Sequence, residues 1–403
     1  MSIKTLSKNV PFQLFLILIT ALLLEKVIPN CFISALYTLS ILIKDLLMAF
    51  LPIAIFVYIS TTLNHFKSQG WLMVILLVLF EAISNSFASF AAYGLSVFGA
   101  RFYSASMIEV QEVTLLPIFS ISGMIPWFWR VEYGTIIGVV FGLIFPHIGI
   151  KTLEDNMQSL KNFVTLIFSR VFVRLVPFLV LGLFIKFIRS GNAMQLVMQG
   201  SQAIIIMIVG LLVYVLFLYL VAARFSFSRA LKCFKTALPA GIIAFSSMSS
   251  AATMPVTISV TEQNLKNKDF ASMIIPATTN IQQIGDCFIN VFLCCILVAF
   301  FTGDIPSLQT FIAFLSIFIV SRFTTAAVMG GAIFIMLPIY QRYLGFNEEM
   351  TAIIIAFNVI LDPIVTSSNV MANSAMCIIF ERVWLIFETK GGLLNLYKAQ
   401  DEA

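Results

Sequence analysis

Apolar stretches of about 20 residues, long enough to cross the hydrocarbon core of a bilayer as a helix, recur along the first half of the chain. Short polar and charged segments separate them. The pattern predicts spanning helices over residues 12–30, 33–63, 70–100, 114–150 (broken near Gly123 to Pro126), 160–188 and 197–222.

From residue 232 onward, small polar residues interrupt the apolar pattern at four places, which are 246–257, 276–283, 324–331 and 362–374. The first and third interruptions each separate two apolar arms too short to span a bilayer, so they predict two re-entrant helical hairpins. The second and fourth lie inside full-length apolar stretches and predict two partly unwound spanning helices. Because irregular backbone at membrane depth is tolerated only inside protein or beside a solvated cavity, this repeated order predicts a binding site where the interruptions converge.

Composition places the chain among polytopic membrane proteins with an all-α fold. Hydrophobic residues make up 60% of its 403 residues and charged residues 11%, and the mean hydropathy is +1.01. A soluble protein of this size would have too little polar material for its surface. The 24 Lys and Arg residues are dispersed, which argues against nucleic-acid binding. Most of them fall on one side of the predicted helices, so the positive-inside rule predicts cytoplasmic N- and C-termini.

Other residue types indicate little additional chemistry. The six cysteines lie mostly in apolar stretches without metal-binding spacing and are interpreted as packing residues. No series of nucleophile, base and orienting group indicates an enzyme, and no cofactor is expected. The N-terminus lacks a small-residue cleavage site after its apolar stretch, so the first predicted helix is expected to be retained.

The last apolar stretch carries a regular series of polar residues. Asp362, Thr366, Asn369 and Asn373 recur at i, i+4, i+7 and i+11 and therefore share one face of a helix. A carboxylate at membrane depth is expensive and usually has a partner or a function. Two interpretations stay open: Asp362 contacts a bound solute, or it forms an ion pair with a residue such as Arg322.

Four segments of the chain resemble motifs of one transporter family. They are SSAATMPVT (249–257), PATTNIQQ (276–283), GGAI (330–333) and LDPIVTSSNVMAN (361–373). In order and spacing they are similar to the dicarboxylate/amino acid:cation symporters, the glutamate transporter group, from about residue 150 to 385. By this resemblance the chain is identified as a divergent member of that group.

The resemblance implies about eight transmembrane helices, two re-entrant hairpins and an elevator-like movement within a homotrimer in the lipid bilayer. Scaffold helices would occupy residues 1–69 and 111–190, and a transport-domain helix residues 70–110. The core of the transport domain would occupy residues 191–390, followed by a cytoplasmic tail over 391–403.

The resemblance also implies how an amino acid would be bound. Asp362 would hold the α-ammonium group, and Ser249 and Ser250 would meet the α-carboxylate. Thr366 and Asn369 would contribute from the same helix, and the second hairpin would close over the site through Gly330 and Gly331.

One position departs from the family pattern in a way that bears on the substrate. Val365 stands where members that carry acidic amino acids have an arginine. Burying a second carboxylate beside an apolar side chain would leave the charge without a partner. A small neutral amino acid is therefore the predicted substrate.

The cation site also departs from the pattern. The family's NMDGT motif is replaced here by Asn280 to Ile284, so Gln282 stands in place of a carboxylate, and Asn373 replaces a second one. Asn280 and Asn369 retain amide oxygens, and Asp286 follows one turn after Gln282. These five residues are the predicted ligands of a coupling ion, Na⁺ or H⁺. For Asp286 a solvated or hydrogen-bonded structural carboxylate is the alternative.

Glu81, with Asn85 nearby in the third predicted helix, is a further candidate for proton coupling; pairing with a neighbouring helix is the alternative.

The resulting hypothesis is a cation-coupled symporter of a small neutral amino acid in a bacterial inner membrane. Its alternatives are a sodium-independent carrier of amino acids or dicarboxylates, coupled to protons or working by exchange, and a receptor or assembly partner that has lost transport. A channel would be distinguished by currents that do not depend on Asp362.

Overall fold

The computed structural model describes residues 29–65, 71–100, 117–124, 131–148, 151–189, 193–279, 281–325 and 332–389, with positions 20, 126 and 129 besides. Throughout these residues the regular structure is helical and contains no strand, which confirms the predicted all-α class. The first predicted helix, 12–30, lies almost wholly outside the described residues.

Thirteen α-helices are described. They are α1 (Asn30–His65), α2 (Trp71–Gly99), α3 (Val131–Ile148), α4 (Lys151–Ile167), α5 (Val173–Arg189), α6 (Ala193–Ala222), α7 (Phe227–Ser247), α8 (Ser250–Glu262), α9 (Lys268–Thr278), α10 (Ile284–Thr302), α11 (Leu308–Thr325), α12 (Ala332–Leu344) and α13 (Glu348–Thr389). A short 3₁₀ turn precedes α3, and five residues of π-helix join α4 to α5.

Five helices of the described part are long and apolar enough to cross a bilayer. These candidate spans are Cys31–Thr61, Ile75–Gly99, Gly200–Ala222, Ile284–Thr302 and Glu348–Ile386. A sixth is formed if Thr152–Phe172 and Pro177–Lys186 count as one span, bent by 50° at the break between them. A side chain at membrane depth is either buried in the protein or in contact with lipid. Many large apolar side chains on these helices are exposed at the protein surface, as contact with lipid requires.

The chain divides into two units by its contacts. The first comprises residues up to 75, 89–208 and 289–362. Within it, α1 packs against α3, α4 and α5, and α11 packs against α12. Close packing on α1 depends on glycine, because a Cβ on Gly182 of α5 would lie 2.4 Å from the Leu36 carbonyl oxygen.

The second unit comprises residues 76–88, 209–288 and 363 onward. Helices α7 and α8 form a hairpin, and α8 also packs against α9. A cluster of small apolar side chains joins this hairpin to α13, with Ala240, Ala244, Val256 and Val260 around Val370. The first predicted hairpin is therefore present. The arms of the second are α11 and α12, whose connecting residues 326–331 lie outside the described part.

The two predicted interruptions of spanning helices have different outcomes. The first is present, because α9 ends at Thr278 and α10 begins only at Ile284. The second prediction was wrong: α13 runs as one helix through 362–374, with Pro363 inside it. A helix accepts polar side chains on one face without unwinding, since its own backbone hydrogen bonds remain complete.

Candidate substrate and cation site

The turn between α7 and α8 is short and is built from the serine-rich segment. Helix α7 ends where Met248 takes a left-handed conformation (φ 51°, ψ 34°), with its N–H donating to the Ala244 carbonyl. Ser249 then caps α8, and its Oγ accepts a hydrogen bond from the Ala252 N–H at 3.2 Å. Ser250 is the first residue of α8. A helix N-terminus with half-buried hydroxyls beside it is suited to an anionic group such as a carboxylate.

The break between α9 and α10 is held by a buried amide of α2. Asn85 donates from Nδ2 to the Ile281 carbonyl at 2.9 Å and accepts at Oδ1 from the Gln283 N–H at 3.1 Å. These two bonds satisfy a carbonyl and an N–H that lie outside any helix. Residues 281–283 can therefore stay non-helical in a buried position without unpaired backbone at those groups.

A second amide, on α13, holds the start of α10. Asn369 accepts at Oδ1 from the Gly285 N–H at 2.8 Å and from the Asp286 N–H at 3.4 Å. Its Nδ2 donates to Asp286 Oδ2 at 2.8 Å. Gly285 makes this approach possible, because a Cβ there would lie 2.7 Å from the Val365 carbonyl oxygen.

Further along α13, two hydrogen-bonded pairs of polar side chains connect this helix to α9 and α8. Thr278 Oγ1 at the end of α9 donates to Asn373 Oδ1 at 2.7 Å. Thr261 Oγ1 of α8 donates to Ser374 Oγ at 2.8 Å. Both pairs are buried. Asn373, predicted as a cation ligand, thus accepts a hydrogen bond from a neighbouring helix in this structure.

Gln282 stands out among the predicted cation ligands. Gln282 is 1% exposed, and among the described residues neither its Oε1 nor its Nε2 atom has a hydrogen-bond partner. A buried amide without partners is costly, and such groups in native proteins call for an explanation such as a bound ion or water. Gln282 precedes α10, so Asp286 does not follow it by one helical turn, as the spacing had suggested.

The remaining predicted residues fall on α13 or outside the described part. Asp362 is half-buried, whereas Val365 is only 4% exposed and Thr366 is also buried. Arg322, the alternative partner of Asp362, is buried with its guanidinium 5.0 Å from the centre of the Phe318 ring. Asn280, Gly330 and Gly331 lie outside the described residues.

Glu81 lies one turn before Asn85 on α2 and is 1% exposed. Within the described part of the chain its Oε2 atom has no hydrogen-bond partner, and neither has the buried Ser84 Oγ on the same helix. Phe80 contacts Phe380 of α13, with ring centres 5.1 Å apart, so this part of α2 packs against α13. A buried carboxyl group with an unpaired oxygen has the chemistry of a proton carrier.

Sequence reasoning named Asn85 only as a neighbour of Glu81 and did not identify Thr278 or Gly285. The bridging role of Asn85 has a signal in the sequence, since an amide in an apolar span rarely occurs without a partner. The partner itself, the backbone of a segment about 200 residues away, follows only from the fold.

Comparisons with known proteins identify the family of this chain. The profile of the sodium:dicarboxylate symporter family matches residues 11–383. A relative named as the serine/threonine transporter SstT of Streptococcus thermophilus is 24% identical over 260 residues, which cover 61% of this chain and 60% of that protein. Family and relative are both transporters by name, in agreement with the expectation that the chain is not an enzyme. Because the family match covers nearly the whole sequence, the chain is an integral membrane protein that belongs to the sodium:dicarboxylate symporter family.

Proposed function

We propose that the protein is a secondary transporter that moves a small neutral amino acid across the membrane together with a cation. The observation that carries this proposal is the buried, non-helical segment 281–283, which one amide of α2 holds and which leads into the start of α10, held by Asn369. Broken helices at membrane depth expose backbone and side-chain oxygens to a bound ion or solute. Membership of a symporter family supports the same function.

The hairpin turn and α13 provide the groups for an amino acid. The capped N-terminus of α8, with Ser249 and Ser250, suits the α-carboxylate, and Asp362 suits the α-ammonium group. Val365 provides no positive charge for a side-chain carboxylate. We therefore assign a neutral side chain to the substrate, in the chemical class that the name of the serine/threonine relative indicates.

The coupling ion would bind near the start of α10. Gln282 contributes an amide oxygen without a protein partner, and Asp286 contributes the nearby negative charge. Oxygen ligands of this kind suit a hard cation such as Na⁺. Asn280, Asn369 and Asn373 complete the proposed ligands of the ion. The proposed transporter works as a homotrimer with an elevator movement, as in the family at large.

Uptake by the full chain in proteoliposomes tests this function. A sodium gradient should drive uptake of serine, threonine or alanine, and glutamate in excess should not compete. Asp362→Asn should abolish uptake, because the ammonium group loses its counter-charge. Asp304→Asn, a matched change at an exposed loop residue, should not. Glutamate uptake at equal rate, or full uptake by Asp362→Asn, would reject the proposal.

A proton-coupled carrier is the second candidate, and the buried Glu81 favours it. A pH gradient would then drive uptake without sodium, and Glu81→Gln, which cannot release a proton, would lose the dependence on the gradient. Glu262→Gln provides the control, since Glu262 is partly exposed and only pairs with Ser272. Sodium dependence with an unchanged response of Glu81→Gln to pH would exclude this candidate.

A further inference from the structure

A basic cavity lies within the second unit, where two candidate spans end. Its volume is about 690 Å³, within the range of small-molecule sites. The span Gly200–Ala222 ends at its wall, as does the span that reaches Ile386. Where these apolar helices end, we expect the bilayer core to give way to the headgroup region.

The charges around the cavity are strongly unbalanced. Five cations line it, namely Arg224, Arg229, Lys232, Lys266 and Arg382, against the single carboxylate of Glu381. That carboxylate is already engaged, since Glu381 Oε1 accepts from the N–H groups of Lys266 and Asn267 at 3.0 and 2.8 Å. Arg382 is engaged too and donates to the carbonyls of Val221 and Ala222, which end α6.

Three of the other cations have no ion-pair partner among the described residues. The side chains of Arg224, Arg229 and Lys232 are exposed and form no ion pair with any described residue. Arg224, Arg229 and Arg382 line the same cavity, so three like charges are brought together there. An anion that accepts several charge-assisted hydrogen bonds would remove this repulsion.

Apolar side chains beside the cavity suit the rest of a lipid molecule. Ile386 is exposed at the cavity wall. Phe225, next to the cavity-lining Arg224 in sequence, and Phe227, the first residue of α7, are 70% and 75% exposed. Aromatic residues at this level are typical of the membrane–water interface. Basic pockets between spanning helices are known to hold anionic headgroups.

We propose that this cavity binds a phosphate-bearing anion through Arg224, Arg229 and Lys232. The observations favour the headgroup of an anionic phospholipid, whose acyl chains would lie along the exposed apolar residues; a soluble phosphate shares the same chemistry. The site lies apart from the residues proposed for the amino acid and the cation, so it does not depend on the transport function.

Thermal unfolding of the delipidated full chain in detergent tests the site, with phosphatidylglycerol, phosphatidylcholine and inorganic phosphate as probes. Phosphatidylglycerol should raise the unfolding midpoint by at least about 3 °C, and high salt should reduce the shift. The variant Arg229→Gln/Lys232→Gln should lose more than half of it. The control Lys235→Gln/Lys268→Gln makes the same charge change at exposed residues outside the cavity and should keep it.

The probes separate the two sources of phosphate. A shift with phosphatidylglycerol alone assigns a lipid headgroup, and a shift that inorganic phosphate also produces assigns a soluble anion. Bound phospholipid per chain, counted by native mass spectrometry, gives a second measurement, and the single variants replace the double one if it does not purify folded. No shift with either probe, or equal shifts in the cavity variant and the control, would overturn the proposal.

Discussion

Asn369 shows how one side chain can serve both structure and binding. Its amide oxygen accepts from two N–H groups at the start of α10, and its amide nitrogen donates to the Asp286 carboxylate. The first N–H groups of a helix have no partner within the helix. Asn369 provides that partner from α13 and at the same time orients the carboxylate that we assign to the cation site.

Replacing this amide should therefore cost stability as well as transport. Asn369→Ala leaves two N–H groups and a carboxylate without their partner, and we expect the free energy of unfolding to fall by about 1–3 kcal/mol. Denaturant unfolding in detergent measures the loss. Asn162→Ala is the control, because Asn162 is exposed and only accepts from Gln158 on its own helix. Equal stability of the two variants would contradict the role given to Asn369.

At the scale of elements, the contact between α10 and α13 depends on the absence of a side chain at one position. A Cβ on Gly285 would lie 2.7 Å from the Val365 carbonyl oxygen and 3.0 Å from Asn369 Oδ1. Backbone atoms of a long helix cannot yield as the end of a flexible side chain can. The two helices would have to separate, and the bonds of Asn369 would lengthen with them.

Gly285→Ala should accordingly lower the free energy of unfolding by about 1–3 kcal/mol and reduce uptake. Gly200→Ala makes the same chemical change in α6, where a Cβ meets nothing within 4 Å. There the better helix propensity of alanine should leave stability unchanged or raise it by up to about 1 kcal/mol. The pair is compared by unfolding and by uptake in parallel. If both glycines tolerate alanine equally, the close approach of α10 to α13 is not present in the working protein.

Periodicity and length predicted most of the helices because the apolar stretches are long and clearly bounded. The ranges 33–63, 70–100 and 197–222 correspond to α1, α2 and α6 within a few residues. The predicted helix 160–188 differs, since Phe168–Phe172 is π-helical and separates α4 from α5. Hydropathy does not register such a change of winding, because both conformations bury the same side chains.

The site was predictable only in part, for a related reason. Small polar residues within apolar sequence indicated the turn at Ser249 and the break at 276–283. The same signal at 362–374 indicated a break that α13 does not have. Polar residues at membrane depth require partners, and those partners come either from unwound backbone or from another helix. Sequence shows the requirement, whereas the choice between the two depends on tertiary contacts such as those of Asn369 and Thr278.

At the scale of the whole molecule, the distribution of basic residues implies one orientation in the membrane. Arg224, Arg229, Lys232 and Lys235 lie close together in sequence at the end of a candidate span, and Lys266 and Lys268 follow the next hairpin. By the positive-inside rule we expect all of these to be cytoplasmic. Helices α9 and α10 would then cross the membrane together, and the residues around Asp304 would face the opposite side.

Cysteine labelling from each side of the membrane measures this orientation. In a chain whose six native cysteines are replaced by alanine and which retains uptake, Ser228→Cys and Ser307→Cys place single thiols at exposed positions on either side. An impermeant maleimide should label Ser228→Cys only from the cytoplasmic side and Ser307→Cys only from outside. Labelling of both from one side would mean that α9 and α10 do not cross the bilayer together. Labelling of each from the opposite side would instead invert the whole molecule and place the basic cavity outside the cell.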